Sequence, residues 1–391
     1  MREGSESIDV KTRVVSGAGT LAELGQLTLG LEVRRVLLVT DEGVRRAGHA
    51  ERGLAALESA GLEVSTFGDV QSDPTDRDAH ACAEAVRVHR AEAFVALGGG
   101  SCIDAAKGAN FLLTSGGEMR DYWGYGKATA PMLPLIAVPT TAGTGSEVQS
   151  FALIADAKTH AKMACGDRRA APRIALLDPE LTLSVPREVT AHTGMDALTH
   201  AVECAVTKTA TPFSGMLARE AFRLGHTALA RVMEHPSDLQ ARESMQWGAC
   251  LAGMAIESSM LGAAHAMANP LTARFDLPHG QAVGLFLPGV VRFNAQNPRV
   301  AEGYRALAAA AGLCDASAAP SVAVDSLVAR LGALLDATDM PRSITACGAA
   351  EGDVPALASE AAAQWTASHN PHPVAEEDLA GLYRAALESC R

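Results

Sequence analysis

The sequence has no excess of basic residues, no long apolar run and no paired cysteines, and each absence removes a class of protein. Lys and Arg number 33 against 45 Asp and Glu, a formal charge of −12. Such a surface repels phosphate, and no basic run offsets the average, so neither nucleic acid nor an anionic membrane is expected as a partner. No uninterrupted apolar stretch approaches the roughly 18 residues of a membrane span, and the start shows no charged-then-apolar leader. The expectation is a cytoplasmic enzyme. The eight cysteines (82, 102, 165, 204, 250, 314, 347 and 390) form no Cys-x-x-Cys pair, so zinc ribbons and redox chemistry are not expected. They read as reduced and mostly buried. Repeats of fixed period and low-complexity tracts are also missing.

What is present is an ordinary globular composition. The 391 residues, 48% of them apolar, suffice for two domains or one large one. After a polar start over residues 1–8, Arg13–Gly19 reads as a short strand and turn, with a helix from Thr20. Arg35–Thr40 is a β-branched run that delivers Asp41 at its carboxyl end, the pattern of a buried parallel strand. There Asp41 either hydrogen-bonds a dinucleotide ribose and repels a 2′-phosphate, or caps a helix. A helix over 49–60 and a strand at Leu62–Phe67 follow. Ser72–Thr75 reads as a helix start with the capping residue before Pro74. The next helix leads to a strand at Ala93–Leu97. Strands alternating with helices mean a parallel α/β layer.

Two loops then carry chemistry. Gly98-Gly99-Gly100-Ser101-Cys102-Ile103-Asp104-Ala-Ala-Lys107 joins a strand to a helix, leaving the backbone free to approach an anion at the helix N-terminus. It lacks the spacing of Gly-x-Gly-x-x-Gly and of the Walker loop, and alone it is also what a plain connection looks like. A strand at Leu133–Val138 feeds the second, Pro139-Thr140-Thr141-Ala-Gly143-Thr144-Gly145-Ser146-Glu147, whose hydroxyls and amides suit phosphate or ribose oxygens. Further on, Asp196 and His200 stand four apart in Gly194–Glu203, one turn on a single helix face. With His265 and His279 they make a three-nitrogen, one-oxygen set suited to Fe(II) or Zn(II), although the pair alone is also an ordinary surface pattern. From about Pro186 onward strand signals vanish.

Gly-Gly-Gly-Ser-x-x-Asp-x-x-Lys, Pro-Thr-Thr-Ala-Gly-Thr-Gly-Ser-Glu, Asp178-Pro179-x-Leu181, Gly-Met-Asp-Ala-Leu-Thr-His and Pro278-His279-Gly280 occur in the order and spacing of the iron-containing, or group III, alcohol dehydrogenase family, which the chain resembles over nearly its whole length. The resemblance implies an α/β nucleotide-binding domain with a parallel sheet over 1–185 and an all-α metal-binding and substrate domain over 186–391, the dehydroquinate-synthase-like arrangement, with cofactor and metal in the cleft between them. It implies metal ligation by Asp196, His200, His265 and His279. It implies NAD contacts, in preference to NADP, from Asp41, Gly98, Gly99, Ser101, Asp104, Thr140, Thr141, Thr144, Ser146, Leu153, Lys162 and Leu181. Phe151, Ile256 and Thr366 are candidates to line the substrate pocket, and the first two suit a short apolar chain rather than a polyol.

One position departs from the family. Where relatives commonly have His-Ala-x-Ala-His-Pro-Leu-Gly, this chain has His265-Ala-Met-Ala-Asn269-Pro-Leu-Thr272, and Asn269 cannot titrate near neutrality. A catalytic proton then moves through water and ribose hydroxyls or through another group, with His369 and His372 the candidate stand-ins. The expected activity is metal-dependent hydride transfer between a nicotinamide and a small alcohol or aldehyde, in a homo-oligomer, a dimer or larger. The alternatives are a glycerol-dehydrogenase-like or dehydroquinate-synthase-like enzyme on the same scaffold, and a non-catalytic relative that binds nucleotide or metal.

Overall fold

The computed structural model describes residues 11–159 and 161–388. The polar start, His160 and Cys390 lie outside them. The chain forms two compact units, one of residues up to Thr141 with Gly145–Val185, the other of Ala142–Thr144 with everything from Pro186 on.

The first unit is a parallel sheet with helices on both faces. Its strands are β1 (Arg13–Ser16), β2 (Arg35–Val39), β3 (Glu63–Phe67), β4 (Ala93–Gly98), β6 (Leu135–Pro139) and β9 (Ile174–Leu177), in the order β1-β9-β6-β4-β2-β3. A smaller sheet, β5 (Gly124–Tyr125), β8 (Lys162–Gly166) and β7 (Phe151–Ala155), stands apart. Successive side chains of a strand point to opposite faces. Leu37, Val39, Phe94, Ala96, Leu135 and Ala137 therefore enter one core, while Val36, Leu38, Val95, Leu97, Ile136 and Val138 enter the other. Burial on both faces explains why these strands read as continuous apolar runs.

The helices of this unit are α1 (Leu24–Leu29), α2 (Glu42–Arg46), α3 (His49–Ser59), α4 (Asp76–His89) and α5 (Gly100–Ser115). Three details differ from the sequence reading. The chain at Thr20 makes a 3₁₀ turn before the short α1. The cap of α4 is Thr75, after Pro74, and it exchanges hydrogen bonds with Asp78 in a capping box. The β7–β8 hairpin, with Ile154 and Cys165 packed into the core, gave no sequence signal because neither Phe151–Ala155 nor Lys162–Gly166 alternates apolar with polar residues.

The second unit has no strand among its described residues. It consists of α6 (Arg187–Cys204), α7 (Pro212–Glu234), α8 (Leu239–Ser258), α9 (Ala263–Phe275), α10 (His279–Asn294), α11 (Pro298–Ala310), α12 (Pro320–Ala337), α13 (Val354–Ala362) and α14 (Glu376–Leu387). Alanines at 191, 201, 221, 252, 264, 268, 282 and 308 are buried between helices, where small side chains permit close approach. From Gly194 to Cys204 every residue of α6 is buried. A helix buried all round should be apolar, yet this one carries Asp196, Thr199, His200 and Glu203.

Candidate metal centre and nucleotide loops

Thr199 is satisfied locally, donating to the Met195 carbonyl at 2.8 Å. The other three polar residues of α6 lie at i, i+4 and i+7, one face of the helix. Asp196 Oδ1 is the focus: His200 Nε2 lies 3.3 Å from it, His265 Nε2 3.5 Å and His279 Nε2 3.8 Å. The His200 and His265 rings stack with centroids 4.9 Å apart. Donor atoms of Asp196, His265 and His279 all fall within 4.8 Å of one another. Neighbouring ligands around a tetrahedral cation bound at about 2.1 Å are about 3.4 Å apart, so these separations match the edges of a coordination shell.

Hydrogen bonding supports the same conclusion. Asp196 Oδ1 and His265 Nε2 are buried and make no hydrogen bond, a costly arrangement unless a ligand answers them. The donor set thus fits a divalent ion of the iron or zinc type. Burial holds the His200 imidazole down at about 4, so it is neutral, as a ligand must be. For Asp196 burial acts upward but is outweighed by His200, His265 and His279, which hold the carboxyl well below its usual range. Burial would lower His265 too, but Glu203 and Asp196 raise it to about 9. The side chain of His279, 30% exposed against 8% or less for the other three, marks the open side.

Glu203 is the functional residue that sequence reasoning missed. Its buried carboxylate accepts from His265 Nδ1 at 2.6 Å and from the Gly262 and Ala264 amides at 2.9 and 2.8 Å. It thereby caps α9, where the helix dipole favours an anion, and fixes the imidazole so that Nε2 faces Asp196. The signal was available, since Glu203 continues the Asp196–His200 face. Asn370 accepts from Ala263 N at 3.1 Å beside it. On the other side, Gly280 permits the first turn of α10 to lie against α6; a Cβ there would sit 1.8 Å from the His192 carbonyl oxygen. This close approach brings His279 to Asp196.

In the first unit, the chain leaves β2 for β3 on one side, while β4 and β6 lie on the other. Ligands of open α/β sheets bind outside the carboxyl ends of strands at such a switch point. Asp41 and Gly98–Gly99 are what the sequence puts there. A Cβ on Gly98 would lie 2.3 Å from Cys102 Sγ and 3.3 Å from Asp41 Oδ2. Gly99 ends in extended backbone at the start of α5, with Thr141 beside it. Asp41 also caps α2, accepting from Val44 N at 2.9 Å, and takes a bond from Cys102 Sγ at 3.2 Å.

Several of the residues expected at the nucleotide also make contacts within the protein. Asp104 accepts from Ser146 Oγ at 2.5 Å and from Leu153 N at 3.2 Å. Lys107, wholly buried, donates to the Ser146 carbonyl, Ser146 Oγ and the Phe151 carbonyl at 2.7 to 2.8 Å. A buried ion requires partners, and these hold the two loops together, with the Asp104 and Ser146 side chains bonded to each other. Leu181 is 0% exposed within the core and offers no surface to a nucleotide. Asp178 accepts from the Gly19, Leu21 and Glu180 amides, so that motif serves the fold. Ser101 donates to the Ser72 carbonyl at 2.5 Å, Lys162 pairs with Asp73 at 3.2 Å, and Leu153 is exposed. Thr140 is buried, with its amide on the Gly98 carbonyl, and Thr144 belongs to the second unit.

Of the pocket candidates, Phe151 packs on Tyr125 with ring centroids 5.5 Å apart, in the first unit. Ile256 is 5% exposed and clusters with Cys204, Leu217 and Ala255. Thr366 is buried with its hydroxyl unbonded. Asn269 donates to Gln364 Oε1 at 3.0 Å. His369 contacts Thr209 and His372 packs edge-on to Phe293; neither joins the imidazoles around Asp196.

The chain belongs to the iron-containing alcohol dehydrogenase family: residues 11–179 match the family described as iron-containing alcohol dehydrogenase and residues 190–387 the Fe-containing alcohol dehydrogenase family, C-terminal. It is 34% identical over 374 residues to the 1,3-propanediol dehydrogenase of Klebsiella pneumoniae, covering 95% of this chain and 96% of that one. Identity to the NAD-dependent methanol dehydrogenase of Bacillus methanolicus is 32% over 378 residues, 95% and 97% of the two chains. A crystal structure of 1,3-propanediol oxidoreductase matches with TM-score 0.93 and 33% identity over 97% of this chain and all of the other. The protein is accordingly an oxidoreductase acting on alcohols and aldehydes with iron and a nicotinamide cofactor.

Proposed function

We propose that Asp196, His200, His265 and His279 hold the metal, Fe(II) in preference to Zn(II), and that the loops at Gly98–Ser101 and Thr140–Thr144, with Asp41, bind NAD in preference to NADP. The observation that carries the metal assignment is the buried Asp196 oxygen surrounded by three imidazole nitrogens without a hydrogen bond. The ion supplies charge stabilisation at the oxygen of the reacting alcohol or aldehyde, and the nicotinamide accepts or donates the hydride. The chain's own work is placement. Glu203 orients His265, the buried shell excludes water from three ligands, and the exposed edge of His279 leaves a side open to substrate. Gly99 and the first amides of α5 present donors to a pyrophosphate, helped by the absence of any acidic residue in that first turn. Lys162 and Leu153, both exposed on the β7–β8 hairpin, serve the nicotinamide ribose. Asn269 holds hydrogen bonds and moves no proton. No described helix is long and apolar enough to cross a membrane; we place the enzyme in the cytoplasm as a homo-oligomer.

A screen of alcohols with NAD and of aldehydes with NADH, with metal quantified in the same preparation, tests this reading. Wild type should bind about one ion per chain and turn over. Asp196→Ala should lose the ion and at least about a thousandfold in kcat/KM, the size expected when charge stabilisation at the reacting oxygen disappears. Retention of stoichiometric metal by that variant would refute the ligand assignment.

A further inference from the structure

The amides that open α9 are answered by two side chains. Glu203 takes those of Gly262 and Ala264, and Asn370 Oδ1 takes that of Ala263 between them at 3.1 Å, two residues before His265. Asn370 is 1% exposed and uses every hydrogen-bonding position of its carboxamide. The oxygen also accepts from Asn294 Nδ2 at 3.2 Å, while Nδ2 donates to Asn294 Oδ1 and to the His372 carbonyl, both at 2.7 Å. Backbone fixes which way round this amide lies: the Ala263 N–H can only donate and the His372 carbonyl only accept, so reversal would set donor against donor and acceptor against acceptor. Asn294, equally buried, is oriented in turn, and its Nδ2 reaches the Tyr304 hydroxyl at 3.3 Å. Asn294 is the last residue of α10, the helix that His279 begins, so Asn370 joins the first turn of α9 to the far end of α10. The space is tight: a Cβ on Gly262 would lie 2.9 Å from Asn370 Oδ1 and 3.0 Å from Glu203 Oε1.

We propose that Asn370, locked by Asn294, is a positioning residue for the metal centre: together with Glu203 it sets the start of α9 and thereby the direction of His265 Nε2. The inference rests on the Asp196 cluster holding the ion. One carboxylate, that of Glu203, bonds both the α9 amides and His265 Nδ1, so a shift of the helix start either carries the imidazole with it or breaks one of these bonds. Asn370 holds the amide between those two and prevents the shift. A carboxylate at 370 could accept from the same amide, but it would set a second negative charge beside the buried Glu203 and could donate nothing to Asn294 or His372. The place requires a neutral group that both accepts and donates.

The test uses the intact chain with Zn(II) or Co(II), affinity being read by competition with a chelator and ligand geometry by the visible absorption of the cobalt form. Asn370→Ala should lower Zn(II) affinity about tenfold, the low end of the range for groups that orient a metal-ligating histidine, and should shift the cobalt bands. Combined with Glu203→Gln it should lose less than the product of the two single losses, because both act through His265. Gly262→Ala adds one methyl and removes no polar group; it should lower affinity about as far, and it carries the test if Asn370→Ala does not fold. A lowered melting temperature of the metal-free variants with wild-type affinity and cobalt bands would make Asn370 a brace of the fold and overturn the proposal while leaving the metal assignment intact. Losses that simply multiply in the double variant would overturn it too. Failure of wild type to bind either ion would overturn both.

Discussion

The Lys107, Asp104, Ser146 and Asp178 side chains of the first unit answer groups around them, whereas Asp196 Oδ1 and His265 Nε2 in the second converge on a point and stop short of bonding. Lys107 and Asp104 both bond Ser146, and Asp178 accepts from three amides. The nucleotide loop proposed above is instead backbone: half-buried Gly99 and the first amides of α5. Asp196 Oδ1 and His265 Nε2, by contrast, are buried 3.5 Å apart without a hydrogen bond, an arrangement that a bound cation would satisfy. A nucleotide cradle can be finished before its ligand arrives, because amides aimed at solvent lose nothing while they wait. A metal site cannot, because its ligands must be dry and close together.

The comparison can be broken most directly at Glu203. Glu203→Gln keeps the shape but removes the charge that holds His265, and metal affinity should fall about 10- to 100-fold, read by competition with a chelator. Unchanged affinity would reduce Glu203 to a helix cap. In the first unit, Asp41→Gly should lower selectivity for NAD over NADP by about tenfold, the factor that corresponds to one interaction of about 1.4 kcal/mol. A glycine cap costs only a few tenths of a kcal/mol, so the fold should persist; unchanged selectivity would leave Asp41 as the cap of α2 alone.

The smallest effect lies away from both sites. Burial lowers His226 to about 4, with Arg330 acting the same way, and the neutral ring accepts from Arg330 Nε at 3.1 Å while its other nitrogen meets the Ala311 carbonyl at 3.2 Å. Its folded value lies below the ordinary 6.5, so the unfolded chain takes up the proton first. Its contribution to stability is whole above about pH 6.5 and declines as pH falls toward 4. His226→Gln, which can make both bonds without titrating, should flatten the fall in melting temperature between pH 7 and pH 5. An identical slope in the variant would remove His226 from the account.

Strands β2, β4 and β6 were legible because burial on two faces leaves an unmistakable apolar run, and the helical second half because strand signals cease at Pro186. The β7–β8 hairpin was not, for neither of its runs alternates apolar with polar residues and the connection between them carries no glycine or proline. At the site, Asp196 and His200 announce themselves by spacing, and Glu203 lies on the same face for anyone who extends it one turn. Asp104, Ser146 and Leu181 each make contacts within the protein. A motif records which residues occur together, and side chains that hold a loop in shape occur in it as regularly as those that touch a ligand.

By itself the sequence determined the strand–helix alternation, the glycine loops after β4 and β6, and the ligand types, because these follow from local periodicity, local backbone freedom and side-chain chemistry. Tertiary structure alone decided which polar groups answer each other and which are left open: Lys107 turned to Ser146, Glu203 to His265, Asn269 to Gln364. Direction and burial are properties of packing between segments up to a hundred residues apart, and no local pattern encodes them.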